Sequence, residues 1–124
     1  MNLNKVFLIG RLVADPELQH TSNGTPFSRI RVAVNNPYKD KNREWKEDPV
    51  FIDVVLWGNL ADWTVSRFNK GDRVLVEGSL RQSTWKTESG ENRSKIEIRA
   101  DKFSPLDARK EETTEEEPPD DIEF

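Results

Sequence analysis

The sequence predicts an all-β fold: five strands, one short helix between the third and the fourth, and a disordered acidic tail. Three observations carry this. Apolar and polar residues alternate in several stretches, with the period of a half-buried strand. Only one segment has both a helix start signal and a helix stop signal. The charge balance also reverses after Leu106. Residues 1–106 hold 17 Lys/Arg against 14 Asp/Glu, whereas residues 107–124 hold two bases and nine acids, giving the net −4 of the 124-residue chain.

The elements follow in order. "NKVFLIGRLV" (4–13) is a β-rich stretch containing Gly10, and "ADPE" breaks it. "PFSRIRVAVN" (26–35) alternates cleanly, with Ile30, Val32 and Val34 on one face and Arg29, Arg31 and Ala33 on the other. "NPYKDKNREWKEDP" (36–49) is charged and bounded by prolines, so it reads as a long exposed loop or hairpin extension. "VFIDVVLW" (50–57) is the third strand. Gly58 then breaks it, Asn59 with Asp62 reads as a capping box, and "LADWTVSRF" gives a helix with Ala61, Val65 and Phe68 on one stripe. Gly71 reads as its left-handed stop. "RVLVEGSLRQSTWK" (73–86) is a long fourth strand with Val74, Val76, Gly78 and Leu80 in register, "ESGEN" a turn, and "RSKIEIRADKF" (93–103) the last strand. This is the element order of the OB-fold, a partly open five-stranded Greek-key barrel. The predicted division is an OB-fold domain over 1–106 and an acidic tail over 107–124.

Composition excludes most catalytic classes. The chain has no Cys, so disulfides, thiolate metal sites and a thiolate nucleophile are absent, and its one His, His20, lies in a turn-rich stretch and reads as a surface residue. No Gly-rich phosphate loop and no ligand-spaced cluster appears, so neither metal nor cofactor is predicted. The possible carboxylate pairs Asp48/Asp53 and Glu77/Glu97 read as solvated strand acids. The chain does not read as an enzyme. No run approaches about 18 apolar residues, so the expectation is a soluble cytoplasmic protein with no membrane span.

Binding reads more clearly. Tyr38 and Trp45 lie in the charged loop among Lys39, Lys41, Arg43 and Lys46, and Trp85 lies between Arg81 and Lys86. Single-stranded nucleic acid needs this combination, because flat rings stack unpaired bases and cations track phosphates. On the third strand Phe51, Asp53, Val55 and Trp57 oppose Val50, Ile52, Val54 and Leu56. If the aliphatic face is core, Phe51 and Trp57 point outward, either to stack bases or to plug an end of the barrel. Trp63, within the helix, reads as packing.

The segments "LNKVFLIGRLVADPEL", "NGTPFSRIRVAV", "FIDVVLWGNLAD", "FNKGDRVLVEGSLR" and "TWKTESGENR" together resemble the bacterial single-stranded DNA-binding proteins across residues 3–106. The resemblance implies an OB-fold that usually assembles as a homotetramer and wraps single-stranded DNA without sequence preference. It places Tyr38, Phe51, Trp57 and Trp85 at base-stacking positions, and Lys41, Lys70 and Arg81 along the DNA path. Tyr38 and Phe51 stand where other members often carry Trp. Asp53 stands where a relative can show a basic residue, Asn59 where Lys is common, and Ser83 and Thr84 replace cations before Trp85.

The tail closes on Asp120, Asp121, Ile122, Glu123 and Phe124. This tip resembles the family's docking peptide for replication, recombination and repair proteins, with Glu123 in the place of the usual proline. A buried Phe124 ring is worth about 1.5–3 kcal/mol, and the acids steer it to a basic pocket. The resemblance also implies a nucleoid-associated location. The competing reading is an OB-fold primosome or interaction module in which nucleic-acid binding is secondary.

Overall fold

A computed structural model of the chain describes residues 1–106. The tail, with its tip at 120–124, lies outside the described residues. Strand β1 spans Val6–Leu12, β2 Gln19–His20, β3 Pro26–Val34, β4 Pro37–Lys39, β5 Trp45–Glu47 and β6 Val50–Trp57; helix α1 spans Gly58–Arg67, β7 Arg73–Lys86 and β8 Asn92–Pro105.

Five long strands form a ring in the order β1, β7, β8, β6, β3. Antiparallel pairing of Arg11 with Ala33 and Leu12 with Val32 closes it. The one parallel contact among the described residues sets Val54 beside Ile98 and Val55 beside Arg99. This is the five-stranded barrel with one helix between its third and fourth strands that the alternation predicted. The two residues of β2 add to β3, and the charged loop folds into a separate β4–β5 hairpin.

Alternation explains the interior. Ile30 and Val32 of β3, Val54 and Leu56 of β6, Val74 and Val76 of β7, and Ile98, Ala100 and Phe103 of β8 are buried together. Each such large aliphatic or aromatic side chain contributes about 1.5–3 kcal/mol on burial. Phe103 breaks the even-numbered pattern of β8. One extra residue, Asp101, falls between the pairs Gly78–Ala100 and Glu77–Lys102, and this bulge returns Phe103 to the core. Close backbone approach constrains two positions: a Cβ on Gly10 would meet the Ala33 carbonyl oxygen at 2.5 Å, and one on Gly78 the Arg99 oxygen at 2.1 Å. Only glycine fits there.

Four local expectations are corrected. Trp57, not Asn59, is the helix N-cap, with no side-chain cap hydrogen bond and no acid in the first turn, so there is no capping box. The buried stripe is Leu60, Ala61, Thr64 and Phe68, with Val65 half-buried. Gly71 is left-handed (φ +90°) but does not end the helix. Phe68 does so in an extended conformation, and Gly71 sits in the following turn, closed by Asp72 N–H donating to Asn69 O (3.1 Å). Finally, Leu80 keeps the parity of Val74 and Val76 but is exposed. The β1 ladder ends at Gly78, Asn4 bonds the Leu80 backbone through its side-chain amide, and beyond Leu80 β7 leaves the barrel with only β8 beside it.

Candidate nucleic-acid interface

Register assembles the outer face. Across β3 and β6, Phe27 lies opposite Trp57, Arg29 opposite Val55, Arg31 opposite Asp53 and Ala33 opposite Phe51. Across β7 and β8, Ser79 pairs with Arg99, Arg81 with Glu97, Ser83 with Lys95 and Trp85 with Arg93. The inward residues of these strands are the core, so all of these side chains belong to one outward face. Phe51 and Trp85 are exposed on it. Trp57 is half-buried, its ring stacked on Phe27 with centroids 5.1 Å apart and planes 30° apart. Phe27 was not singled out in the sequence, although its parity with Arg29 and Arg31 was visible there.

Beyond Leu80 the strands β7 and β8 form a two-stranded arm. A turn closes it, with Thr87 N–H donating to Glu91 O (2.8 Å) and Gly90 N–H to Thr87 O (2.9 Å). Thr84, Trp85, Lys86, Asn92, Arg93 and Ser94 line an open depression on it. Arg81 forms no ion pair among the described residues and remains exposed.

The β4–β5 hairpin supplies the second projection. Asp40 shapes its tip by accepting from the N–H groups of Asn42 (2.9 Å) and Glu44 (2.8 Å), which leaves Lys41 in the turn. Asn36 and Asp48 tie its base through Asp48 N–H to Asn36 O (3.1 Å) and Asn36 Nδ2 to Asp48 O (3.2 Å). Tyr38 pairs with Lys46 and Lys39 with Trp45, so the two aromatics occupy opposite faces of the hairpin. Trp45 is 67% exposed, and the Lys39 ammonium lies 5.3 Å from its ring centroid.

Lys70 lies off the sheet, in the turn between α1 and β7, where its backbone N–H donates to Asp15 Oδ1 (2.7 Å). Trp63 packs edge-on against Phe68 (5.9 Å), with Arg67 over its ring.

An ion network unannounced by the sequence occupies the centre of the face. Arg29 donates through Nε and Nη2 to the two oxygens of Glu97 (2.9 and 3.3 Å), and Ser83 Oγ donates to Glu97 Oε1 (3.0 Å). Asp53 accepts from Arg31 Nε (3.3 Å) and from Lys95 Nζ, which also lies 3.6 Å from Glu97. Glu97 and Asp53 are therefore not solvated strand acids. Burial pushes the Glu97 carboxyl up, but its bonds from Arg29 and Ser83 and the nearby charges hold it below the usual range. Burial likewise opposes ionisation of Asp53, and Lys95 with Arg31 outweighs it. Arg29, bonded to Glu97, is correspondingly raised. No group of three or more metal-ligating side chains exists among the described residues.

Comparison with known proteins bears on this face. The model of the single-strand binding protein family matches residues 3–106. The chain belongs to that family. Its relatives include the single-stranded DNA-binding protein of Aquifex aeolicus, 44% identical over 99 residues, which cover 80% of this chain and 67% of that one. The single-stranded DNA-binding protein 2 of Chlorobaculum tepidum is 35% identical over 116 residues, 93% of this chain and 78% of the relative. Among solved structures, a Plasmodium falciparum member of the family in complex with single-stranded DNA superposes with a TM-score of 0.78 at 28% identity. It covers 86% of this chain and 97% of its own. These neighbours share the OB-fold.

Proposed function

We propose that this chain binds single-stranded DNA without sequence preference. The observation that carries the reading is the single outward face that holds Phe51 and Trp57 on β6 and Trp85 on β7, with β8 between those strands. Stacking needs only a base's π-face, so such a platform is indifferent to sequence. Tyr38 extends it on the hairpin, and Lys41, Lys70 and Arg81 meet phosphates. The solved relative with bound single-stranded DNA supports the ligand class.

Several finer parts belong to the same proposal. The protein is non-enzymatic and protects single strands during replication, recombination and repair in the cytoplasm, at the nucleoid. It works as a homotetramer. Phe7 (61% exposed) and Ile9 (48% exposed) on β1 support association, as does the stretch 6–9, whose second edge pairs with no strand among the described residues. The tip Asp120, Asp121, Ile122, Glu123 and Phe124 recruits partner proteins.

Tryptophan fluorescence during titration with oligo-dT at two salt concentrations tests the central claim. Saturable quenching that weakens with salt supports it. Absence of quenching at low salt, with residues 107–124 removed, overturns it. Sedimentation at micromolar concentration tests the tetramer.

A further inference from the structure

The centre of the outer face is where a strand running between Trp57 and Trp85 would pass. Three cations stand there: Arg29, Arg31 and Lys95, with side chains 43%, 60% and 38% exposed. Beneath them lie two carboxylates, Asp53 and Glu97, only 14% and 6% exposed. The cations thus present their stems and outer N–H groups to solvent, while the carboxylates take up their charge from below. Arg29 is held by both Glu97 oxygens, Arg31 by Asp53, and Lys95 bridges the two acids. A local charge of +3 is reduced to +1.

Resting on the proposed single-strand binding by this face, we infer that Asp53 is an affinity-limiting residue. It pre-neutralises Arg31 and Lys95, so a passing phosphate gains little from them and releases few counterions there. Stacking, rather than phosphate neutralisation, holds the strand at the centre of the face. Asp53 suits this role better than Glu97. Both acids face one cation of β3 and the Lys95 of β8, but Lys95 donates its hydrogen bond to Asp53, whereas Glu97 is the more deeply buried partner and receives the Ser83 hydroxyl as well.

The test uses the full chain and oligo-dT, with affinity measured over a range of salt concentrations. Asp53→Asn keeps shape and one acceptor oxygen while removing the charge. It is expected to bind more tightly at low salt, several-fold, and to steepen the slope of log K against log salt by about 0.7 for each extra phosphate neutralised. Lys95→Gln on its own is expected to cost less than the same substitution made in the Asp53→Asn background, where the freed ammonium carries the gain. Thermal melting of each variant reads folding separately.

Weaker binding by a folded Asp53→Asn chain would show that Asp53 aims its cations at the phosphates, and would overturn the inference. An unchanged salt slope beside measurable wild-type binding would also overturn it, and leave the function standing. If Asp53→Asn proves too unstable, equal costs for Lys95→Gln and for removing the exposed Arg81 would overturn it instead. A wild-type chain that binds no single strand overturns both.

Discussion

The barrel and its two projections are made of the same residue types and use them in opposite ways. In the barrel a strand such as β6 has neighbours on both sides, so its apolar face is sealed and even its outward Val55 is buried between the Arg29 and Arg99 positions. Trp57 ends that strand stacked on Phe27. On the arm, β7 has only β8 beside it, and Trp85 and Ile96 are exposed. The hairpin leaves Tyr38 and Trp45 exposed as well. A packed barrel ring such as Trp57 contributes to stability as well as to the face, whereas Phe51, exposed on the barrel, and the rings on the projections are available mainly for binding.

The comparison is broken most severely at Gly78, where the β1 ladder ends. Gly78→Val would drive its side chain into the Arg99 backbone. The variant should lose about 3 kcal/mol or more of stability, toward the upper end of single-substitution effects, seen as a large fall in melting temperature. Gly90→Ala, in the turn of the arm, meets no atom and should cost less, about 1–2 kcal/mol, from its left-handed φ of +90° alone.

Next come the two tryptophans. Trp57→Ala should weaken oligo-dT binding by about 1–3 kcal/mol, and should lower stability too, since the Phe27 stack alone is worth about 0.5–1.5 kcal/mol. Trp85→Ala should weaken binding over the same range with little change in melting temperature. A Trp85→Ala chain that melts as early as Trp57→Ala would contradict the division between barrel and arm. Phe27→Ala should lower stability and alter the Trp57 emission without removing a stacking ring.

Acid should destabilise the barrel through the two carboxylates of its outer face. Asp53 and Glu97 titrate below their ordinary range in the folded chain, so their contribution is complete above about pH 5 and drains as the pH falls through the lowered values. Melting temperature against pH should therefore decline less steeply below pH 5 for Glu97→Gln than for the wild type. Equal slopes would mean that the network adds no net stability.

The smallest effect belongs to the tail. Nine acids beside a mildly basic domain should compete with DNA, so deletion of residues 107–124 should raise affinity at low salt. The gain should fade as salt screens it. Unchanged low-salt affinity would dismiss that competition.

Much of this was legible in the sequence, and particular residues show where legibility stopped. The alternation in "RIRVAV" and "FIDVVLW" placed both faces of β3 and β6, because side-chain direction along a strand depends only on neighbouring residues. Prolines and charges marked the hairpin, and the aromatics with their cations marked a binding surface. The bulge at Asp101 was invisible, since it exists only as a mismatch between β7 and β8. Helix capping by Trp57 was missed because Asn59 and Asp62 satisfied a local rule that the chain's exit from β6 overrode.

By itself the sequence determined the order of the main strands along the chain, the single helix, the shared parity of Phe51 and Trp57, and the charge split at residue 106. Those are properties of short stretches. The tertiary structure alone decided that Phe27 backs Trp57, that Leu80 lies outside the core, and that Glu97 is buried against Arg29, 68 positions away. Such pairings form only when the ring closes, because closure brings strands from opposite ends of the chain into one register.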